Sequence, residues 1–396
     1  MVTALLYVQH LLGIGHLMRA NALARGLEAA GIRVVLVSGG MPVPVLDVSS
    51  SRFEQLPAVR AVDETFKELV TETGVAVDET WKEHRRARLL EIFTRERPDI
   101  VITELYPFGR RQMRFEIEPL LAAARDRREQ TGLPIIASSV RDIIVASSKP
   151  GRVAEIIDLV RRFFDLVLIH GDERLVPFER SFPQAGDISE FIRSTGYVVD
   201  PVPGRQGPGS PGHGEVIVST GGGAVSDSLL AATIGARKLS RLSELPWRVL
   251  IGHNYAQSAF LERRAAAPQG IEIERARCDF TQLLANCELS ISQGGYNTVA
   301  EILATGTRAV CLPFAGGGET EQALRCRLLA ERGVVQVVEP GAVSAEQVAR
   351  AVDRALEAQP PDRRVVDTNG ASRSAALLLE AAHDRKSRVV RRGGPF

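Results

Sequence analysis

A chain of 396 residues exceeds what one ordinary hydrophobic core organises, so two domains are expected. The composition, 44% hydrophobic and 24% charged, is that of a globular protein, and a net charge of +1 excludes nucleic acid as the main partner. No apolar run reaches the length of a membrane span and the N-terminus enters a strand without a signal-peptide pattern, so the expected location is cytoplasmic.

Residues 4–8 form an apolar run of strand length that leads into Gln9, His10 and then Gly13-Ile-Gly15-His16. An amphipathic helix follows over 17–30, closed by Gly31, and the next strand covers 32–37. This strand, glycine loop, helix, strand unit predicts a parallel α/β sheet. Residues 53–56 can add a strand, 78–97 read as a polar helix and 99–103 as a further strand. A helix over 111–129, a strand at 134–137, a helix over 153–164 and a strand at 166–169 continue the alternation.

The pattern then breaks. Residues 200–214 are dense in proline and glycine and hold neither helix nor inner strand, which predicts an interdomain linker between a first domain, 1–199, and a second, 215–370. The second restarts with a strand at 216–219, glycines 221–223, a helix from about 225 and a strand at 247–251. Its most telling stretch is 290–306: a short strand, the turn Gln293-Gly294-Gly295, and a helix from Tyr296 ended by Gly306. A helix over 372–382 within the last segment, 371–396, can cross back to the first domain, and the basic run 385–392 reads as a solvated end. The four cysteines, Cys278, Cys287, Cys311 and Cys326, form no CxxC and read as buried free thiols without a zinc site.

Three glycine loops follow strands. The first lacks the third glycine of a dinucleotide fingerprint and its second strand ends in Val37-Ser38 rather than an acid, which disfavours a nicotinamide cofactor. No Walker lysine follows any of them. A strand, a glycine turn and a helix N-terminus together make an anion site, because unpaired N–H groups and the positive dipole end point out of the turn. Glu301, further along the same helix, suits a ribose diol rather than a phosphate; the competing reading is an ordinary βα turn with a solvated glutamate.

The run Ser219-Thr-Gly-Gly-Gly223, the run Gln293-Gly-Gly-Tyr-Asn-Thr-Val-Ala-Glu301, Gly306, Pro313 and Glu319-Thr-Glu-Gln-Ala323 together resemble the C-terminal domain of MurG-like inverting glycosyltransferases, the family 28 type. Gly13-Ile-Gly-His-Leu-Met-Arg19 is similar to that family's first glycine loop with its histidine. Tyr106-Pro-Phe-Gly-Arg110 and Ser139-Val-Arg-Asp142 look more like an uncharacterised bacterial branch of predicted glycosyltransferases. The resemblance implies a GT-B fold, two Rossmann-like parallel-sheet domains facing across a cleft.

It also implies a nucleotide-sugar donor, uridine-linked and perhaps of UDP-GlcNAc type, on the second domain. Glu301 would take the ribose, while Gly221, Gly222, Gly223, Gly294 and Gly295 would offer N–H groups to the diphosphate. Gln293, Asn297 and Thr298 of the same motif count with them, and Glu321 and Gln322 match the pair that reads sugar hydroxyls, with Gln322 ahead. Gly13 and Gly15 belong to the first loop. For the general base on the acceptor the candidates are His16, ranked first, then Asp142 and Glu104. Asp142 stands where the family has a His-Glu pair, here replaced by Arg141-Asp142. Arg19 and Arg141 can meet phosphates or an acidic acceptor. No DxD or carboxylate cluster is visible, so no metal or other cofactor is expected. The acceptor, a hydroxyl or amine, is not specified. Nor is membrane association: the basic doublets 85–86, 110–111 and 161–162 also read as solvated helix faces. A sugar-nucleotide hydrolase or epimerase would keep the same second-domain motifs, and a non-catalytic accessory subunit is the third alternative.

Overall fold

The computed structural model describes residues 1–43, 52–63, 66–145, 150–221, 227–253, 255–314, 320–364 and 366–391. It divides into unit 1, Met1–Val198 with Asn369–Phe396, and unit 2, Val199–Thr368.

Unit 1 is built on a seven-stranded sheet. From one edge to the other it runs β3 (Arg52–Gln55), β2 (Arg33–Ser38), β1 (Thr3–Val8), β6 (Ile100–Glu104), β7 (Ile135–Arg141), β8 (Leu166–His170) and β9 (Ile192–Ser194). Every pairing in it is parallel. The inner strands are near-continuous apolar runs because both faces are covered, and all of β1 and β6 is buried. On one face lie α2 (Glu79–Glu96), α3 (Arg114–Thr131) and α4 (Arg152–Phe163); on the other lie α1 (Gly15–Ala29) and α11 (Gly370–Arg391). A small antiparallel pair, β4 (Val59–Ala61) with β5 (Leu69–Thr71), stands apart from the sheet.

Helix α11 seats its Ala375, Leu378 and Ala382 in the same apolar cluster as Leu23 and Leu27 of α1. The two backbones approach closely at Gly26, where a Cβ would come within 2.3 Å of the Ala371 Cβ. The helix runs well beyond 382, into the basic segment read as a solvated end. Arg385 pairs with Asp165 at 2.5 Å and Lys386 with Asp99 at 3.2 Å, so that part of the segment is fastened to the sheet's loops.

Unit 2 carries a six-stranded parallel sheet in the order β12 (Ile271–Arg275), β11 (Trp247–Ile251), β10 (Val216–Ser219), β13 (Leu289–Ser292), β14 (Ala309–Cys311) and β15 (Gln336–Val337). Its helices are α5 (Asp227–Ala236), α6 (Gln257–Ala265), α7 (Phe280–Asn286), α8 (Tyr296–Thr305), α9 (Glu321–Glu331) and α10 (Ala345–Glu357). The proline- and glycine-rich stretch 200–214 counts with this unit. It is tied to α7 by bonds from the Gln206 N–H to Asn286 Oδ1 and from Asn286 Nδ2 to the Pro211 carbonyl, each 2.8 Å.

Each sheet starts in its middle, builds to one edge and then reverses to the other. The reversals fall between β1 and β6 and between β10 and β13. At such a switch point the loops after two adjacent strands diverge, leaving a crevice at the carboxyl ends where ligands of open α/β sheets bind.

Two departures from the sequence reading have a common cause. Strand β7 runs to Arg141 instead of stopping at 137, because Ser138 and Ser139 are buried with partners: Ser138 donates to the Tyr106 carbonyl at 2.7 Å and Ser139 to Glu104 at 2.7 Å. Arg85, half of a doublet read as a solvated face, is fully buried. It donates to Glu116 at 2.7 and 2.9 Å, to the Gly39 and Pro57 carbonyls at 2.9 and 2.7 Å, and to Gln9 at 2.5 Å. Tyr7 completes the network with a 2.5 Å bond to Glu116. Arg85→Met would strand the Glu116 carboxylate in the core, and removal of one partner of a buried pair costs roughly 3–5 kcal/mol. Urea unfolding is expected to show a loss of that order; a loss below about 1 kcal/mol, the scale of an exposed pair, would mean the network carries little.

Candidate functional site

In unit 1 the site grows from the switch between β1 and β6. After Val8 the chain passes Gln9 and His10 and enters α1 at Gly15; no side chain caps this helix and no acid lies in its first turn. His16 therefore sits in a first turn whose dipole disfavours positive charge. Glu104 ends β6, and parallel pairing sets it level with Ser139 of β7, while His170 ends β8 level with Arg141. The result is a cluster on Glu104. His16 Nδ1 lies 3.0 Å from Oε1, Arg19 donates to the same oxygen, and Ser139 donates to Oε2 at 2.7 Å. His170 Nε2 stands 3.0 Å behind the Ser139 hydroxyl, and its Nδ1 meets Thr195 Oγ1 at 2.8 Å.

This surrounding is rich in positive charge. Burial holds the His16 imidazole well below its ordinary pKa, and Arg110, Arg141, Arg19 and His10 push in the same direction. His16 is thus a neutral base at physiological pH. Burial lowers His10 to about 4 and His170 to about 3. Burial and the neighbouring Arg141 bring the Arg110 guanidinium down to about 10, while its Nε donates to the Gln9 carbonyl at 2.7 Å. Of the three candidate bases the structure brings His16 and Glu104 together. Asp142 is elsewhere in its contacts: fully buried, it accepts from the Ile143 N–H at 2.8 Å and from the Tyr197 hydroxyl at 3.5 Å. Its Cβ is packed against Gly171, where any side chain would collide at 2.7 Å. Its carboxylate is thus held within the core, away from the cluster on Glu104.

In unit 2 the loops after β10 and β13 carry the site. Gly221 takes a left-handed φ of +68°, with the Gln293 Oε1 3.3 Å from where its Cβ would be; Gly222 and Gly223 lie outside the described residues. The two glycines of the next turn divide their work. A Cβ on Gly294 would strike Cys326 Sγ of α9 at 2.1 Å, so this glycine serves helix packing. Gly295 has nothing within 4 Å of its Cβ position and faces open space. Helix α8 begins there without a side-chain cap or an acid in its first turn, which holds Asn297 and Thr298. Glu301 follows on the same helix, roughly 9 Å beyond Gly295 at about 1.5 Å per residue. It accepts from the Thr281 hydroxyl at 2.8 Å. Burial pushes its carboxyl up to about 7, with Thr281 opposing and Asp200 adding to the rise.

Glu321 begins α9. Its carboxylate is buried and pairs with Arg325 at 2.7 Å. Arg325, itself fully buried, donates to the Gly294 carbonyl at 2.9 Å and lies 5.8 Å from the Tyr296 ring centre. Glu321 thus braces the glycine turn through Arg325. The i, i+4 spacing of Glu and Arg on one helix was the available signal. Gln322 Oε1 accepts from the Phe314 N–H at 3.2 Å, just after β14. Cys287, Cys311 and Cys326 are buried and free, but Cys278, in the turn between β12 and α7, is exposed. Among the described residues no group of three or more His, Cys, Asp or Glu is arranged to hold a metal ion, and no helix is long and apolar enough to cross a membrane.

Comparison with known proteins finds relatives of both the sequence and the fold. Residues 216–376 match the glycosyltransferase family 28 C-terminal domain. An uncharacterized glycosyltransferase of Methanopyrus kandleri is 24% identical over 163 residues, 41% of this chain and 44% of that protein. A UDP-N-acetylglucosamine–N-acetylmuramyl-(pentapeptide) pyrophosphoryl-undecaprenol N-acetylglucosamine transferase of Solibacter usitatus is 25% identical over 259 residues, 63% of this chain and 68% of that one. The namesake enzyme of Exiguobacterium is matched over only 39% of its length. Among solved structures, the calicheamicin glycosyltransferase CalG4 superposes with a TM-score of 0.61 at 18% identity, covering 98% of this chain and 99% of that one. MurG of Acinetobacter baumannii gives 0.57 at 16% identity, covering 96% and 99%. Residues 216–376 are thus a glycosyltransferase family 28 C-terminal domain, and the chain as a whole has the GT-B fold and is similar to MurG.

Proposed function

We propose that this protein transfers a sugar from a nucleoside diphosphate sugar to a hydroxyl or amine acceptor, with inversion and without a metal. The observation that carries the reading is the His16–Glu104 pair at the switch point of unit 1, 3.0 Å apart. A carboxylate behind Nδ1 leaves Nε2 to take the acceptor's proton. The acceptor oxygen or nitrogen then attacks the anomeric carbon as the bond to the diphosphate breaks, and a single displacement inverts that centre. The leaving nucleoside diphosphate gains charge, and the N–H groups at the uncapped start of α8 and around Gly295 and Gly221 can stabilise it without a cation. Glu301 takes the ribose diol. Uridine is the favoured base because several relatives are named as UDP-N-acetylglucosamine transferases. A neighbour of the same fold, the spinosyn rhamnosyltransferase SpnG, was solved with thymidine diphosphate, so thymidine belongs in the test.

Thermal-shift screening against UDP-, TDP- and GDP-sugars, with and without EDTA, tests the donor side. A specific ligand stabilises by mass action, about 2.7 kcal/mol at a hundredfold excess over Kd. A shift from UDP-sugars that survives EDTA is the expected result; no shift from any sugar nucleotide would sink the proposal. Incubating the hit alone then separates transfer from hydrolysis, since a hydrolase would release the free sugar without an acceptor.

A further inference from the structure

Behind the His16–Glu104 pair lies a file of polar groups that the transfer reaction does not itself touch. Ser139, His170 and Thr195 are all fully buried, and they connect the ends of β7 and β8 to the segment after β9. The bonds run Thr195 Oγ1 to His170 Nδ1 at 2.8 Å, His170 Nε2 to Ser139 Oγ at 3.0 Å and Ser139 Oγ to Glu104 Oε2 at 2.7 Å. Such a file has two self-consistent arrangements of its protons. With Glu104 ionised, Ser139 donates to it, His170 donates from Nε2–H to Ser139, and Thr195 donates to the bare Nδ1. With Glu104 protonated on Oε2 every bond reverses: the carboxyl donates to Ser139, Ser139 to His170 Nε2, and Nδ1–H to Thr195, whose hydroxyl turns to the Ile169 carbonyl 3.2 Å away.

We propose that Ser139 and His170 are positioning residues: with the file in the first arrangement they anchor Glu104 through Oε2, keep Oε1 on His16 Nδ1 and so fix the tautomer of His16, Nδ1–H inward and Nε2 bare. The inference rests on the reading of His16 as the base. Three donors then converge on the Glu104 carboxylate: the Arg19 guanidinium, the Ser139 hydroxyl and His16 Nδ1–H. Charge-assisted bonds of this kind are shorter and stronger than neutral ones and hold a carboxylate in one orientation. Were Nδ1 unprotonated, its lone pair would face a carboxylate oxygen at 3.0 Å. The other donor beside that nitrogen is Arg19 Nη2, 3.4 Å from Nδ1; were the carboxylate to turn away, the guanidinium would take the Nδ1 lone pair and His16 would carry its N–H outward, where a base needs a lone pair. The neutral state of His170, which burial holds to about pH 3, keeps the file from being broken by a second proton on that ring.

The test reads the protons directly. Long-range ¹H–¹⁵N correlation spectra of the ¹⁵N-histidine-labelled full chain at pH 7 report the tautomer of each ring, with His16→Gln and His170→Gln supplying assignments. The wild type is expected to show His16 protonated on Nδ1 and His170 on Nε2. Ser139→Ala is expected to turn His16 into a mixture of tautomers, and Ser139→Thr, which restores the hydroxyl, to return it to one. His170 found on Nδ1 in the wild type would overturn the proposal, as would a His16 tautomer unmoved by Ser139→Ala. Calorimetry with UDP on the same samples keeps the two inferences apart. Unchanged UDP binding in Ser139→Ala beside an altered tautomer confines the effect to unit 1. Failure of UDP to bind the wild type would strike the donor assignment without touching the tautomer result.

Discussion

His16→Ala is expected to lower turnover of the nucleotide sugar by roughly 10²–10⁴-fold, the usual contribution of a positioned acid–base group, with UDP affinity changed by no more than about twofold. The split follows from where the residue sits. His16 belongs to unit 1 and touches Glu104, whereas the proposed donor contacts belong to unit 2. Its pH profile should carry a signature as well. Burial, reinforced by Arg110, Arg141 and Arg19, holds the imidazole well below its ordinary value, so the base form persists as the pH falls through 6.5. Wild-type activity should therefore hold across that point and decline only in more acidic solution. A profile with its acid limb at the ordinary histidine value would contradict the buried, arginine-crowded surrounding. Full activity in His16→Ala would remove the proposed base altogether.

Glu301→Gln is expected to weaken binding of a UDP-sugar by about 10- to 100-fold. Hydrogen bonds to a charged group contribute about 1.5–3 kcal/mol, and about 1.4 kcal/mol is a tenfold change in Kd. The ribose diol can only donate both hydroxyls to an ionised carboxylate. The free protein holds this carboxyl at about 7, chiefly through burial. Donor affinity should thus rise with pH through that value and flatten above it, and the slope should vanish in Glu301→Gln. A sugar nucleotide is the right probe, because its diphosphate diester does not titrate there while the terminal phosphate of UDP does. The same elevation acts on the unliganded fold in the opposite sense. A carboxyl whose pKa is raised on folding contributes stability below its unfolded value of about 4.5, and that contribution is lost as pH rises through about 7. Titration calorimetry of a UDP-sugar between pH 6 and 8 decides the matter; an affinity flat with pH in the wild type would exclude Glu301 from the ribose.

The parts of this molecule that could be read from the sequence are those written in local periodicity. Apolar runs of strand length, glycines after them and helical spacing behind the glycines marked the loops after β1, β10 and β13, and with them His16, Gly295 and Glu301. What escaped is what depends on partners far along the chain. Ser139 looks like a polar residue past the end of a strand until Glu104, thirty-five positions earlier, accepts its proton. Arg85 looks solvated until Glu116 and the carbonyls of Gly39 and Pro57 are folded around it. Asp142 stands beside the motif, and the fold buries it with the Ile143 N–H and the Tyr197 hydroxyl among its partners. Glu321 has its ion-pair partner Arg325 only a helical turn away, a pairing its spacing already offered. A motif marks where a family keeps its chemistry; the neighbours decide whether a given side chain is free to perform it.

The return of α11 to the face of α1 bears on how the protein is made. During vectorial synthesis the ribosome exposes the apolar stripe of α1, with Leu23 and Leu27, more than three hundred residues before Ala375 and Leu378 emerge to shield it. Unit 2 is one unbroken segment and can close as soon as it clears the exit tunnel, so the later half of the polypeptide is free to mature before the earlier one. Until the last helix docks, the nascent N-terminal half presents a greasy surface that chaperones or premature aggregation would compete for.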